Sequence, residues 1–470
     1  MLNKTMSRAA CVFTVVMSLV VATPASGLGF SQEFCGNGSS SLTAASNGAG
    51  DLLVAWGQTE DPSEGRLCNH AVSEAAIGSP ATGFTPLGIV PSGGGLSFPV
   101  GVHVDDAGDA WVVGMHAELA PEDKYGPSYE ASGSWLSFRP ANRGFEGPLE
   151  LPTRHGESEA VLISGNRHGV ALVAWETYRG TYLAWATGGR LARVTFFGAE
   201  FHVAGMGLDE AGRALIVGYY PGRGDAEGES AIAVVTAADS GGFGRPRVIA
   251  RRSRRSLGER RFTEGLGVPV VGVGPRGDAF IAYATNWIWE GKWTRQEFAG
   301  ANMLVHRRAD GRLGRPKAFA HGFLDLPNGV ATVDSAGRAV IVSLRNSHIE
   351  EIFLSSSGRT ERRDRLGGPK PDAITIAGNA NGQTVLGWTA GVSNLTTVLG
   401  DTRGHHQPAR ATTPPFQIYS GDGPVLTIDD KGTADLVWIE EGRAGNSVVN
   451  ARTLTPGATT VQIHRTNPAP

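Results

Sequence analysis

A four-residue turn that closes on glycine occurs eight times along this chain and constrains its fold more than any other feature. One copy, Asp105 to Gly108, lies between two short apolar runs within Pro99 to Gly114. A short polar side chain at the first position can bond the backbone, and glycine at the last can adopt positive φ, so each copy predicts a tight β-hairpin. The other copies are Asn47–Gly50, Asn166–Gly169, Asp209–Gly212, Gly274–Gly277, Asp334–Gly337, Asn379–Gly382 and Asp429–Gly432.

The distance between these turns predicts a repeat of four strands. Successive closing glycines lie 43 to 65 residues apart, roughly the length of one propeller blade. A second apolar run follows each turn, as in Val170–Trp175, and a third follows later, as in Ala231–Val235. A Gly-aromatic-x-Pro turn such as Gly83–Pro86 then precedes a fourth strand, and proline there suits the outer edge of a sheet.

Four-stranded units without convincing helices predict an all-β fold. The architecture we predict is a β-propeller of eight four-stranded blades. Seven blades are the alternative if a terminal unit is degenerate. Twisted sheets arranged radially bury each face against the next sheet and protect their edges. A β-solenoid is the runner-up, although its coils are normally shorter. We predict one propeller domain over residues 28–466, with blades at about 36–92, 96–152, 157–199, 202–251, 267–321, 327–367, 371–413 and 422–466.

Residues 1–27 have the pattern of a secretory signal peptide. Lys4 and Arg8 precede an apolar stretch over 9–22, and small residues follow at 25–27. Cys11 lies inside that stretch without the small-residue context of a lipid-modified cysteine, so the lipoprotein alternative is the weaker one. No later segment approaches the roughly 20 apolar residues that a membrane span needs. The sequence therefore predicts an extracellular, monomeric protein without a membrane span.

Removal of the signal peptide leaves two cysteines, Cys35 and Cys68. Thiols are commonly oxidised outside the cytoplasm, so we predict one disulfide between them. Two unpaired buried thiols are the alternative.

Composition and motifs give little support for catalysis or for a nucleic-acid partner. The formal net charge is only −3, so the overall field favours no polyanion. The chain lacks Gly-x-Ser-x-Gly, His-Glu-x-x-His and Cys-x-x-Cys. Gly272–Gly277 matches a dinucleotide fingerprint but lies in a predicted hairpin with no helix to receive a pyrophosphate. His405 and His406 lie in a predicted turn and are interpreted as exposed. We therefore predict no cofactor, metal or catalytic residue.

Two adjacent segments carry the residues of a candidate binding site. The four longest predicted loops, 116–133, 221–229, 251–267 and 286–301, should lie on the face opposite the repeated turns, where binding usually resides. Arginine forks recognise carboxylate, sulfate or phosphate, and indole faces stack on sugar rings. A solvated arginine loop with structural tryptophans is the alternative. The candidate residues are Arg251, Arg252, Arg254, Arg255, Trp287, Trp289 and Trp293, with Arg260 and Arg261 close by.

The first hairpin of the repeat resembles that of NHL-type propeller repeats, in which Pro-x-Gly, an alternating strand, Asp-x-x-Gly and a second strand follow one another. Pro99 to Val113 carry this resemblance best, and Pro327 to Val340 carry it with one extra residue. Asp429 to Trp438 match the turn and second strand only. The later half of each unit departs from the family, so the resemblance implies a propeller fold and no catalytic residue.

The turn at Asp106 to Trp111 also resembles the Asp-box of sialidase-like propellers, although Val104 stands where that motif has serine and the turn lies between other strands. This resemblance implies an alternative function as a glycan-active hydrolase or lyase. The predicted inner strands 102–104, 270–273 and 425–428 contain few ionisable groups, which favours the first interpretation. That interpretation is a secreted binding or scaffold module for an extracellular anionic polysaccharide or another cell-surface component.

Overall fold

The computed structural model describes most of the repeat region. The described residues are 17–18, 27–28, 39–59, 71–119, 129–153, 158–198, 200–221, 229–238, 240–252, 254–257, 260–290, 295–321, 325–345, 348–367, 371–390, 394–412, 424–441, 447–454 and 461–465. They contain strands and turns but no helix, and the all-β prediction is confirmed. Cys35, Cys68 and almost all of the predicted signal peptide lie outside them, so both predictions stay untested.

Two short strands precede the repeats, and the described residues then form eight four-stranded antiparallel units, which we number blades 1 to 8. Within each blade consecutive strands pair with one another. The strands before and within blades 1 to 4 are β1 (Met17–Ser18) and β2 (Gly27–Leu28); β3 (Ser39–Ser46), β4 (Leu52–Thr59), β5 (Ala71–Ser79) and β6 (Gly83–Val90); β7 (Leu96–Val104), β8 (Ala110–Leu119), β9 (Tyr129–Arg139) and β10 (Leu149–Glu150); β11 (Ser158–Gly165), β12 (Ala171–Thr177), β13 (Gly180–Thr187) and β14 (Arg190–Phe197); and β15 (His202–Leu208), β16 (Ala214–Pro221), β17 (Glu229–Ala237) and β18 (Arg247–Arg251).

Blades 5 to 8 repeat this order, and two additional strands come between blades 4 and 5. The additional strands are β19 (Arg254–Leu257) and β20 (Arg260–Leu266). The strands of blades 5 to 8 are β21 (Val270–Val273), β22 (Ala279–Glu290), β23 (Arg295–Arg307) and β24 (Lys317–His321); β25 (Asp325–Val333), β26 (Ala339–Arg345), β27 (His348–Leu354) and β28 (Thr360–Leu366); β29 (Ala373–Gly378), β30 (Gln383–Ala390), β31 (Asn394–Asp401) and β32 (Arg410–Thr412); and β33 (Val425–Ile428), β34 (Ala434–Glu441), β35 (Ser447–Thr453) and β36 (Val461–Arg465).

The repeated turns join the first two strands of each blade, as the sequence predicts. Their closing glycines have φ between +72° and +98°, a region that costs a residue with a side chain about 1–2 kcal/mol. In blade 2, Oδ1 of Asp105 accepts hydrogen bonds from the N–H groups of Ala107 and Asp109 at 3.0 and 2.8 Å. The short polar residue therefore fixes the turn that the glycine permits.

The hydrophobic core lies between blades, because each sheet buries apolar residues against the next sheet. Trp135 of blade 2 is fully buried in a cluster with Leu53 and Val90 of blade 1. Similar clusters join each later blade to the one after it. A further cluster joins Leu42 and Trp56 of blade 1 to residues of blade 8. The two ends of the repeat array are therefore in contact.

Candidate functional site

The predicted arginine and tryptophan segments form one sheet rather than two loops. Strand β22 pairs with β21 over Ala279 to Ala282, and beyond these residues it pairs with β20 over Thr285 to Trp289. Strand β19 pairs with the other edge of β20, and β23 pairs with the other edge of β22. We call this four-stranded extension the ribbon; it comprises residues 254–257, 260–266, 285–290 and 295–299. It extends roughly 14 Å along β22, at the end away from the Gly274–Gly277 turn.

The strand register places an arginine and a tryptophan in one row of the ribbon. Arg255 pairs with Phe262, and Phe262 pairs with Trp289, so the row crosses three strands and about 10 Å of sheet. Trp287 lies two residues away from Trp289 and pairs with Phe298 of β23. Residues that pair directly in an antiparallel sheet share a face, so all five belong to one face of the ribbon.

The register separates other candidate residues from this row. Arg254 pairs with Thr263, which pairs with Ile288, so these three residues belong to the opposite face. Arg251 ends β18, the outermost strand of blade 4, and is exposed, whereas Arg252 is half-buried. Trp293 lies outside the described residues.

The prediction of long loops was wrong for most of 251–267 and 286–301 and for the ends of 116–133 and 221–229, whereas 120–128 and 222–228 lie outside the described residues. Strands β8 and β9 extend into 116–133, β16 and β17 reach both ends of 221–229, and the ribbon occupies most of 251–267 and 286–301. A long exposed loop leaves its backbone N–H and C=O groups without protein partners, whereas an extended hairpin pairs them across strands. Five of the candidate residues, Arg251, Arg254, Arg255, Trp287 and Trp289, therefore lie on strands.

A second cluster of charges, which the sequence interpretation missed, lies where the repeated turns meet at the centre of the ring. Arg167, from the turn of blade 3, forms an ion pair with Asp430 in the turn of blade 8 and approaches Glu210 of blade 4 at 3.5 Å. The backbone N–H of Gly48 in blade 1 donates to Oδ1 of Asp106 in blade 2 at 2.9 Å. Burial raises the pKa of Glu210, and Arg167 and His168 oppose that rise.

These charged residues all occupy the second position of their turns, and that shared position was the signal available in the sequence. Around them is a small axial pocket with an empty volume of about 350 Å³, part of it open to solvent. Its carboxylates contact the guanidinium or N–H groups of turns from other blades, so they hold the turns together. The pocket is lined by Ser46, Asn47, Gly48, His103, Val104, Asp106, Arg167, Asn379, Ile428 and Asp430.

The two adjacent histidines differ from each other. His405 is exposed, as predicted, but the prediction was wrong for His406, which is largely buried between blades 6 and 7. Its Nε2 lies 3.2 Å from Asp364 and 3.3 Å from Glu351. Across the described residues, no group of three or more His, Cys, Asp or Glu side chains has a geometry suited to a metal ion.

The third-strand arginines have structural contacts. Arg139 Nη1 donates to the carbonyl of Gly108 at 3.3 Å, and Arg307 Nη1 donates to the carbonyl of Gly277 at 3.1 Å. Each arginine therefore ties the end of its third strand to the first turn of the same blade. The same position in two blades therefore has the same structural contact.

Comparisons with known proteins identify the fold. The sequence matches no protein-family model and no curated protein. Its structure is similar to that of the Dos1 propeller, with a TM-score of 0.51, 9% identity, and coverage of 96% of this chain and 95% of that one. The chain is a β-propeller. The BP39L lectin from Burkholderia pseudomallei also aligns, with a TM-score of 0.49, 9% identity, and coverage of 80% of this chain and 99% of that one.

A likeness at 9% identity to the Dos1 propeller shows the fold alone, and the NHL-type resemblance stays a resemblance. In the part of the chain that the structure describes, nothing helical is long and apolar enough to cross a membrane.

Proposed function

We propose that this protein is an exported binding module in which a ring of eight blades supports the ribbon, and that the ribbon binds an anionic extracellular polysaccharide. The row formed by Arg255, Phe262 and Trp289 carries the proposal. The N-terminal pattern of positive, apolar and small residues supports export.

The residue types on the ribbon match the two chemical parts of such a ligand. Indole and phenyl rings provide flat apolar surfaces that suit the faces of sugar rings, and guanidinium groups pair with carboxylate or sulfate. The row joins both types on one hydrogen-bonded strand array, and an ordered backbone reduces the conformational entropy lost on binding. Loops would not provide that preorganisation.

Affinity electrophoresis in gels containing polygalacturonate or dextran sulfate tests the proposal. We expect Trp287→Ala with Trp289→Ala to weaken retention about tenfold, because two aromatic platforms are lost at about 0.5–1.5 kcal/mol each. Ile288→Ala is the matched control, since residue 288 lies on the same strand but on the opposite face. Arg255→Gln and Arg254→Gln form a second matched pair, in which only the first should weaken retention.

Equal retention of wild type and the double tryptophan variant, with both folded by circular dichroism, would reject the ribbon as the site. Equal losses in Ile288→Ala would show a general effect on the ribbon and reject the facial assignment. Shortening of the polysaccharide during incubation with wild-type protein would instead support the alternative, a glycan-active hydrolase or lyase.

A further inference from the structure

The outer edge of the ring carries positive charge on four consecutive blades. In blades 4 to 7 the turn before the fourth strand and the strand itself span residues 240–252, 308–321, 355–367 and 401–412. These segments hold four acidic residues, Asp310, Glu361, Asp364 and Asp401. Thirteen exposed cations accompany them: Arg245, Arg247, Arg251, Arg308, Arg312, Arg315, Lys317, Arg359, Arg362, Arg363, Arg365, Arg403 and Arg410. We call this surface the basic wall.

The corresponding segments of blades 1 and 2 lack this excess, whereas that of blade 3 carries two cations, the same number as that of blade 7. Residues 80–90 contain no charged side chain, 140–150 contain Arg143 with Glu146 and Glu150, and 188–197 contain Arg190 and Arg193. The whole chain has a formal charge of −3, so the wall is a local concentration of charge within a slightly acidic protein.

Most cations of the wall are available to a ligand. Among described side chains, Arg312 pairs with Asp310 at 3.7 Å and Arg362 pairs with Asp364 at 2.8 Å. The other eleven have no described carboxylate within 4 Å. Unpaired like charges at a surface repel one another, and a polyanion that spans them relieves this repulsion.

The wall is continuous because the outer segments of neighbouring blades contact each other. Ile249 of blade 4 and Leu313 of blade 5 pack against one hydrophobic cluster. Arg363 of blade 6 donates to the carbonyl of Phe319 in blade 5, and Arg362 donates to the carbonyl of Gly404 in blade 7 at 3.0 Å. The chain leaves the wall at Arg251 and enters the ribbon at Arg254.

We infer that the basic wall is a second binding surface, which holds an extended length of a linear sulfated or uronate polysaccharide whose other segment lies on the ribbon. The sugar nature of the ligand rests on the proposed function, whereas the charge of the ligand follows from the wall alone. Twelve of the thirteen cations are arginine, and its planar fork matches sulfate and carboxylate better than the ammonium of lysine does.

A polysaccharide fits the wall better than single-stranded nucleic acid does. Proteins that bind single strands stack the bases on exposed aromatic rings. The aromatic residues of the wall, Phe243 and Phe319, are both half-buried and pack against neighbouring blades.

Heparin and polygalacturonate binding, measured between 50 and 300 mM NaCl by isothermal titration calorimetry, tests the inference. The wall variant combines Arg315→Gln, Arg365→Gln and Arg403→Gln, one from each of blades 5 to 7. The control combines Arg143→Gln, Arg190→Gln and Arg193→Gln and removes the same charge from blades 2 and 3. We expect the wall variant to bind heparin about tenfold more weakly at the lowest salt.

The dependence of affinity on salt separates the wall from the ribbon. Each cation that replaces a condensed counterion contributes about 0.7–0.9 to the slope of log K against log salt for nucleic acids. We therefore expect the slope to fall by about two in the wall variant and to stay unchanged in Trp287→Ala with Trp289→Ala. Persistence of the slope in the ribbon variant would support the wall even if the ribbon proposal failed.

Equal weakening in the wall variant and the control would show that total charge governs binding and would overturn the inference. Loss of all heparin binding in the ribbon variant would also overturn it, since the wall would then have no affinity of its own. A 40-nucleotide DNA that binds wild type more tightly than heparin does, with the same loss in the wall variant, would overturn the polysaccharide assignment.

Discussion

The buried carboxyl group of Glu351 gives a prediction whose size follows from its surroundings. Glu351 lies in β27 with a side chain 3% exposed, and Oε2 is 3.3 Å from Nε2 of His406 in blade 7. Burial, together with the neighbouring Asp364, raises its pKa to about 7, and Arg362 opposes the rise. The group is therefore protonated in the folded protein at pH values where an exposed glutamate is ionised.

This difference makes Glu351 a source of pH-dependent stability. Because its folded pKa of about 7 exceeds the ordinary value of 4.5, its stabilising contribution is complete below about pH 4.5 and is lost as the pH rises through about 7. At 1.36 kcal/mol per pKa unit, the loss is about 3 kcal/mol. Glu351→Gln carries no charge to bury. We expect it to unfold like wild type near pH 4.5 and to be more stable at pH 8 by up to about 3 kcal/mol.

Urea unfolding followed by tryptophan fluorescence at pH 4.5, 5.5, 6.5 and 8 measures this difference. Glu361→Gln is the control, because Glu361 is exposed on β28 of the same blade. A Glu351→Gln variant that differs from wild type by the same amount at every pH would refute the assignment. So would a variant that is less stable than wild type at pH 8.

Three further substitutions test the repeated turn. Gly108→Ala should lower the free energy of unfolding by about 1–2 kcal/mol in urea titrations, because φ is +86° and the nearest atom to a new Cβ is 3.6 Å away, so only backbone strain is added. Gly144→Ala is its control, with open space around it and no positive φ, and a similar loss there would contradict the explanation. Asp105→Ala should cost about 2 kcal/mol by leaving two N–H groups without an acceptor, whereas Asp105→Asn should cost much less, as Asn166 accepts the same bonds in blade 3. Equal losses in both Asp105 variants would mean that charge, and not the bonds, stabilises the turn.

Local sequence patterns predicted the paired strands of each hairpin, because the residues that form a hairpin lie close together in the sequence. In seven of the eight repeated turns Asp or Asn is followed by a glycine three positions later, and apolar runs form the adjoining strands. The closing glycines all have positive φ as expected. The pairing of β20 with β22 depends instead on residues 19 to 27 positions apart, and no local pattern indicates that β20 continues a neighbouring blade.

The axial charges were missed because their meaning depends on closure of the ring. Arg167 and Asp430 are far apart in sequence, and they meet only because the turns of blades 3 and 8 both point to the axis. The basic wall was missed for the same reason. Each outer segment contains a few arginines, and no single segment indicates a charged surface. Side-by-side packing of four blades converts them into one surface.

His103 gives a pH effect that opposes that of Glu351. Its buried ring stacks with Trp111, and its Nε2 lies 3.0 Å from the carbonyl oxygen of Asn166. Burial lowers its pKa to about 4, against weaker opposing effects of the Asn166 carbonyl and Asp106. The ordinary value is 6.5, so the contribution of His103 is complete above pH 6.5 and is lost, by about 3 kcal/mol, as the pH falls toward 4.

Between pH 4.5 and 6.5 the two contributions therefore change in opposite directions and largely cancel. Glu351→Gln should expose the loss at low pH from His103, whereas His103→Gln should expose the loss at high pH from Glu351. The two groups lie between different pairs of blades and share no contact, so the double variant should lose both slopes additively. Single variants whose stabilities change with pH in the same direction would show that these two groups do not set the pH dependence, and would also remove the explanation given for Glu351→Gln.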